Sequence, residues 1–278
     1  MELYITSLAS GSNGNCYYVG NDETAVLIDA GISCRETERR MARLRLSMQK
    51  VKAIFISHEH SDHIRGLTLL SKKYNLPVYI TAETLRCCPA PVEKHLVKPF
   101  TTSEPVNIGS LQVKAFSKAH DAAEPHSFVI SYKQLKVGVF TDIGTPCQNL
   151  RQHFSQCHAA FLESNFDEAM LDGGRYPLFL KNRIRGGMGH LSNRQALELF
   201  QTHRSPQLRH LVLSHLSKEN NCPKRGAELV GEQAGDTNIV VASRDNEMPV
   251  LKVSHHAPLF ENFTSLPAYQ PPTQMSMF

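Results

Sequence analysis

The apolar hexapeptide KAIFIS (52–57) runs without a break into HEHSDH (58–63). A run this rich in β-branched and aromatic residues is predicted to be a buried strand. Yet it delivers four potential metal ligands, His58, His60, Asp62 and His63, at its end. If the chain stays extended through His60, residues 58 and 60 face one way. Asp62 and His63 then fall where the next helix begins and face a second point. The spacing therefore offers two neighbouring ligand groups from one strand end. A closed structural zinc site usually draws on cysteine, and this segment has none. Neutral imidazoles beside a carboxylate rarely cluster in an ordinary polar turn.

Six residues cannot fill two coordination shells. Three further apolar runs end in the same kind of chemistry: Lys118-Ala119-His120-Asp121, Thr141-Asp142-Ile143-Gly144 and Ser214-His215. Residues at the C-terminal ends of strands converge on sites in α/β proteins.

The intervening segments fit that architecture. Strands are predicted at LYITSLA, YYVG, TAVLID, PVYIT, 111–117, 127–132, 135–142, 158–164 and 209–215. A helix over 33–46, capped by Ser33, places Met41 and Leu44 among five arginines and is expected to lie in solvent. Further helices are predicted over 63–74, 192–202 and 222–233. Two groups of strands, each with its own helices, predict a layered α/β sandwich rather than an alternating doubly wound sheet. The pattern ends near Ser254, so the domain is predicted to span 1–253, with 254–278 as an extended tail.

Composition excludes little. The 278 residues carry a formal charge of +4, which permits an anionic substrate without demanding one. Seven cysteines without a CxxC pair fit a reducing compartment. No apolar run approaches a membrane span and the N-terminus is no signal peptide, so a cytoplasmic protein is expected.

Together, HxHxDH, a later His, a TD-x-G turn and a late SH resemble the metallo-β-lactamase superfamily of binuclear metallohydrolases. The resemblance implies an α/β fold, a four-layer αββα sandwich. It also implies a pair of divalent cations. His58, His60 and His120 would hold one, and Asp62, His63 and His215 the other, with Asp142 bridging; Asp121 and Glu124 are alternatives to His120. Nitrogen and oxygen donors suit zinc, with manganese or iron as alternatives. Two such ions polarise an electrophile and lower the pKa of water toward neutrality, so hydrolysis is the implied reaction.

Fold does not choose the substrate. The missing export signal and cysteine-free second ligand group disfavour a β-lactamase. No appended helical domain marks a glyoxalase-like thioesterase, and the stretch between Asp142 and His215 is too short for an inserted β-CASP domain. SLASGSNGN, LIDAG, HDAAEP, LESNFD, GHLSN and SHLSKENN resemble the bacterial YycJ/WalJ-like branch, which implies a DNA exonuclease acting from the 5′ end. Phe166 departs from that branch, where His is expected. A small-molecule phosphodiesterase, lactonase or thioesterase on the same metals is the alternative.

Further roles follow from the nuclease expectation. Ser10, Ser12 and Asn13 form a candidate phosphate cradle. Asp29 is a candidate turn-fixing carboxylate. Asp62 and His190 are the candidate proton acceptor and donor. Arg183 and Arg185, in a cluster with Arg175 and Lys181, are candidate backbone contacts. The closing Gln274-Met275-Ser276-Met277-Phe278, behind a QPP spacer, resembles the peptides that dock on the bacterial sliding clamp. Gln274, Met277 and Phe278 are its expected anchors.

Overall fold

The computed structural model describes residues 1–254. Two seven-stranded sheets stack face to face. In chain order, the first sheet takes β1 (Leu3–Ala9), β2 (Cys16–Gly20), β3 (Ala25–Ile28), β4 (Val51–Phe55), β5 (Val78–Tyr79) and β6 (Val97–Lys98). The second takes β7 (Val106–Ile108), β8 (Leu111–Ser117), β9 (His126–Tyr132), β10 (Leu135–Phe140), β11 (Ala159–Glu163), β12 (His210–Ser214) and β13 (Asn238–Val241). The chain then returns to the first sheet with β14 (Leu251–Val253), which pairs antiparallel with β1. Tail residues Gln274, Met277 and Phe278 lie outside the described residues.

Residues along these strands alternate between two cores, as a period of two requires. In β4, Ala53 and Phe55 join the core between the sheets, while Ile54 joins the outer core. Tyr17 and Val19 point inward from β2, Cys16 and Tyr18 outward. In β11, Ala159 and Phe161 point inward, Ala160 and Leu162 outward. Strands covered on both faces read as continuous apolar runs, which is how these segments stand in the sequence.

The outer faces are sealed by helices. The first sheet carries α1 (Cys34–Arg43), α2 (Ser61–Ile64), α3 (Leu67–Tyr74) and α4 (Ala82–Cys87), with Met41, Leu67 and Leu70 in its outer core. The second carries α5 (Gln148–Phe154), α6 (Glu168–Gly173), α7 (Leu178–Arg185), α8 (Asn193–His203) and α9 (Pro223–Gly231). Phe154, Phe200 and Val230 pack on that sheet, whereas α6 and α7 share a separate small cluster of Phe166, Leu171 and Ile184. The arrangement is the expected αββα sandwich.

Two helix expectations are corrected. The segment 63–74 is not one helix: it breaks at Gly66, whose N–H donates to the Ala30 carbonyl at 2.8 Å. A Cβ there would lie 2.0 Å from the Ile32 carbonyl oxygen, so the chain threads closely beneath that loop only as glycine. Nor is α1 solvated throughout. Arg40 is buried, donating to Leu8 O at 2.6 Å and Asp245 O at 2.8 Å. It ties the helix to β1 and to the loop before β14.

Topology places the site. In each sheet an antiparallel meander is followed by parallel strands: β3 to β6 in the first, β10 to β13 in the second. The C-terminal ends of β3 and β4 therefore share one edge. Those of β8, β10, β11 and β12 share the corresponding edge of the second sheet.

Candidate metal centre

Every strand end on that edge contributes a polar side chain. His58 and His60 follow β4, and His60 is the N-cap of α2, which carries Asp62 and His63 in its single turn. His120 follows β8, Asp142 follows β10, Glu163 ends β11 and His215 follows β12. Ligand atoms of His58, His60 and His120 all lie within 4.8 Å of one another, and the same holds for Asp62, His63 and His215. Asp142 groups with His58 and His63 on one side and with Glu163, His190 and His215 on the other. It sits at the junction of these groups. The structure thus brings together all seven expected ligands, with His120 rather than Asp121 or Glu124 in its group.

The hydrogen bonds fix which nitrogen each imidazole offers. His63 donates through Nδ1 to Asp29 Oδ2 at 2.7 Å. His215 donates through Nδ1 to Glu163 Oε1 at 2.8 Å, and His120 through Nδ1 to the Gly189 carbonyl at 3.1 Å. The Ser57 hydroxyl donates to Asp29 Oδ2 at 2.8 Å and accepts from His58 Nδ1 at 2.9 Å. All four rings therefore turn Nε2 toward the pocket, where His58 Nε2 lies 3.1 Å from His60 Nδ1 and His63 Nε2 3.1 Å from the Asn15 amide nitrogen, the arrangement by which outer partners orient metal-binding imidazoles.

That leaves buried atoms with nothing to bond. Among the described residues, His120 Nε2, His215 Nε2 and Asp142 Oδ2 are buried without a hydrogen-bond partner. Each such atom costs about 1–3 kcal/mol, and native proteins carry few. Three unpartnered polar atoms converging on one pocket fit a cation, which would take the place of the proton on His215 Nε2, and the nitrogen and oxygen donor set fits a divalent transition metal.

The electrostatics agree. Burial pushes His58 down, and burial holds His120 down at about 4, so both stay neutral donors. Burial opposes charge on His215 too, but Asp142, Asp62 and Glu163 outweigh it and raise that imidazole to about 10. Burial likewise acts against ionised Glu163, yet His190 and His215 hold it at about 2. Asp142 is held well below the carboxylate range by His215 and His63, again against burial. The pocket is a set of ionised carboxylates that demands positive charge.

Backbone strain marks the same places. Asp29, Asp142 and His215 have φ of 63°, 55° and 57°, each within two residues of a strand end. Left-handed conformations outside glycine persist where surroundings over-determine them. Here Asp29 N–H bonds Phe55 O, Lys118 Nζ donates to Thr141 O, and His215 N–H donates to Ser10 Oγ. Gly31 completes the packing: a Cβ there would lie 1.6 Å from Asp62 O.

The cradle expectation is corrected for one residue. The cradle would present backbone N–H groups, but Ser10 is fully buried with its N–H donating to Ser243 O at 3.1 Å and its hydroxyl bonded to Tyr17 Oη at 2.8 Å and to the His215 N–H at 2.7 Å, so it seats His215 and has no face for substrate. Ser12 is exposed, and Asn13 is half-buried with its amide donating to Arg244 O. The loop's main contribution is Asn15. Its amide donates to Asp62 Oδ2 at 3.0 Å, while its carbonyl accepts from Tyr17 Oη and the Gly11 N–H.

His190 lies at the mouth. Its side chain is 18% exposed against 3% or less for His120, Asp142 and His215, and its ring is 5.3 Å from His120 and 5.2 Å from His215. It donates through Nδ1 to Glu163 Oε1 at 2.8 Å. Glu163 also accepts the Ile143 and Leu191 N–H groups at 2.6 and 3.2 Å through Oε2. Sequence reasoning passed over this residue. Its signal was an acid ending the apolar run AAFL, the same strand-end position that flagged Asp142 and His215. Arg183 bonds Asp121 Oδ2 at 2.6 Å beside His120, whereas Arg185 bonds Asp172, away from the ligands. Phe166 is buried beneath α6 and α7 and carries no polar role.

Comparison with known proteins agrees with this geometry. Residues 24–216 match the beta-lactamase superfamily domain. The chain is 36% identical over 226 residues to the exodeoxyribonuclease YycJ of Bacillus anthracis, covering 80% of this chain and 85% of that one. It is 30% identical over 219 residues to the exodeoxyribonuclease WalJ of Streptococcus pneumoniae, covering 77% and 81%. In fold it is similar to the metallo-beta-lactamase fold protein YhfI of Bacillus subtilis, with a TM-score of 0.68, 14% identity and coverage of 91% of this chain and 100% of that one. The chain belongs to the beta-lactamase superfamily, within its metallo-beta-lactamase-fold members and beside the YycJ and WalJ proteins.

Proposed function

We propose that this chain is a metal-dependent phosphodiesterase that removes nucleotides from the 5′ end of DNA during repair or replication in the cytoplasm. The observation that carries the reading is the meeting of two His-rich ligand groups at Asp142, with the His190–Glu163 pair at the mouth. The relatives named exodeoxyribonucleases support the choice of substrate. Two divalent ions are proposed, zinc first, with manganese or iron as alternatives. His58, His60 and His120 would hold one, Asp62, His63 and His215 the other, with Asp142 shared. When bound, they supply Lewis acidity toward a phosphoryl oxygen and water that ionises near neutral pH.

The chain's own residues do the rest. Asp62, oriented by the Asn15 amide, accepts the proton released as the attacking oxygen forms its bond to phosphorus. His190, oriented by Glu163, holds the proton that goes to the departing sugar oxygen. Asp29 and Ser57 keep His58 and His63 in the ligating tautomer. Loop 186–190 closes over the second sheet's side of the pocket: Asp121 N–H bonds Met188 O, and His120 bonds Gly189 O. Ser12 and Arg183 flank the entrance as proposed phosphate contacts.

The experiment is degradation of end-labelled duplex DNA by the purified protein with Mn²⁺ or Zn²⁺, beside a lactone and a thioester. Loss of nucleotides from the 5′ end, abolished by Asp62→Ala and by Asp142→Ala, is the expected result. Turnover of the lactone or thioester alone overturns the nuclease reading. The tail Gln274–Phe278 is proposed to tether the enzyme to the sliding clamp, checked by binding of the isolated peptide to the clamp.

Among the described residues, no helix is long and apolar enough to cross a membrane.

A further inference from the structure

Helix α7 has an inner face that is fully accounted for and an outer face that is not. Leu180 and Ile184 pack with Phe166, Leu171 and Tyr176 in the small cluster under the helix. Leu178 and Phe179 take no part in it. They are 71% and 74% exposed, the most exposed large apolar side chains among the described residues. The two are adjacent and form one apolar patch, whereas every other phenylalanine and tyrosine ring among the described residues is buried or half-buried.

Its place on the helix gives it a use. Phe179 and Arg183 stand four residues apart and so share one face, one turn of about 5.4 Å from each other along the axis. Arg183 bonds Asp121, the neighbour of the ligand His120. The ring therefore stands one turn beyond a residue that touches the rim of the metal centre. Arg183 is the cation that shares this face, whereas Lys181 and Arg185 turn back to Asp172, so the ring has one guanidinium beside it on the side of the metal centre. Apolar rings interleaved with cations are what unpaired nucleic acid binds: bases stack on the ring while phosphates meet the charges.

We infer that Phe179 is a stacking platform for the unpaired bases of a nucleic-acid end whose terminal phosphodiester enters the metal centre. This rests on the nuclease reading above. Leu178 widens the platform, and Arg183, on the same face as Phe179, meets the backbone between platform and centre. Phe179 acts on substrate binding, and its contribution depends on the presence of bases.

The test compares two single-stranded oligonucleotides of equal length as substrates of the full-length, metal-loaded protein, one with bases throughout and one with abasic residues in its terminal nucleotides. The wild type is expected to favour the base-bearing end by at least about fivefold in kcat/KM, the low end of one stacked base. In Phe179→Ala that preference collapses toward unity, and Phe179→Tyr restores it. A preference that persists in Phe179→Ala, or is absent in the wild type, overturns the inference while leaving the nuclease intact. A wild type that cleaves neither oligonucleotide yet degrades duplex DNA overturns the platform alone, and one that degrades none of the three overturns the nuclease reading and the platform with it. Sedimentation of both proteins covers the other occupant: a wild-type dimer that Phe179→Ala dissociates assigns this face to a second copy and overturns the inference.

Discussion

Replacing Glu163 by glutamine changes one atom and disturbs four hydrogen bonds. The carboxylate is fully buried and accepts from two imidazoles through Oε1 and from two backbone N–H groups through Oε2. All four donors point hydrogen at it. An amide has only one accepting oxygen, so its NH₂ must face one pair of donors. If it faces Ile143 and Leu191, two buried N–H groups lose their acceptor. If it faces the imidazoles, His215 must accept through Nδ1, which places its proton on Nε2, the atom reserved for a ligand. Each unmet buried donor costs about 1–3 kcal/mol, so a loss of about 3 kcal/mol is expected. At a urea dependence of about 3 kcal/mol per molar, the midpoint should fall by roughly 1 M with unchanged slope. Activity should fall further, because His190 loses its orienting partner: about 10²–10⁴-fold for DNA. Hydrolysis of bis(p-nitrophenyl) phosphate should suffer less, since nitrophenolate departs without a proton. An unmoved urea midpoint would refute the four-bond account. Equal losses on both substrates would refute the role of His190.

Two other expectations follow from the same network and from a site distant from it. Asp29→Ala removes the acceptor of the Ser57 hydroxyl and of His63 Nδ1, and should weaken metal affinity about 10–100-fold in a competition titration against a chromogenic chelator. His210 donates through Nε2 to Lys252 O on β14 and accepts through Nδ1 from the Asn238 amide on β13, an arrangement only the neutral ring can make. Burial lowers its pKa from 6.5, while the Lys252 carbonyl partly opposes. The unfolded chain therefore binds the proton first, and the stability that His210 contributes is present above pH 6.5 and is lost as pH falls below it. His210→Gln should lose less stability than the wild type between pH 7 and pH 5, measured by urea denaturation at each pH.

What the sequence revealed and what it hid have physical causes. The candidate metal ligands were legible because each lies within a few residues of the end of an apolar run, where side-chain chemistry changes abruptly while burial continues. The Ser33 cap was legible for the same local reason, whereas Ser192, read as the first residue of the helix, is its N-cap and forms a full capping box with Gln195. Helices α4 to α7 were missed because one or two turns do not repeat a 3.6-residue period often enough to show it. The break at Gly66 depends on Ile32, and the burial of Arg40 on carbonyls at Leu8 and Asp245; neither partner is near in sequence. The role of Ser10 depends on His215, on the far side of the chain. Glu163 was hidden by its usual meaning, since a lone acid at a strand end is ordinarily a surface residue.

The return of β14 to β1 has a consequence for when this protein becomes active. Synthesis from the ribosome delivers His58 to His63 early, but the strand that closes the first sheet is not available until Val253 has emerged. The preceding loop also supplies Ser243 O and Met248 O to the backbone of Ser10 and the hydroxyl of Thr6, and Ser10 in turn seats His215. A nascent chain therefore holds most of its ligands without the frame that aligns them. The frame around the pocket is therefore complete only when the last strand of the domain has been made.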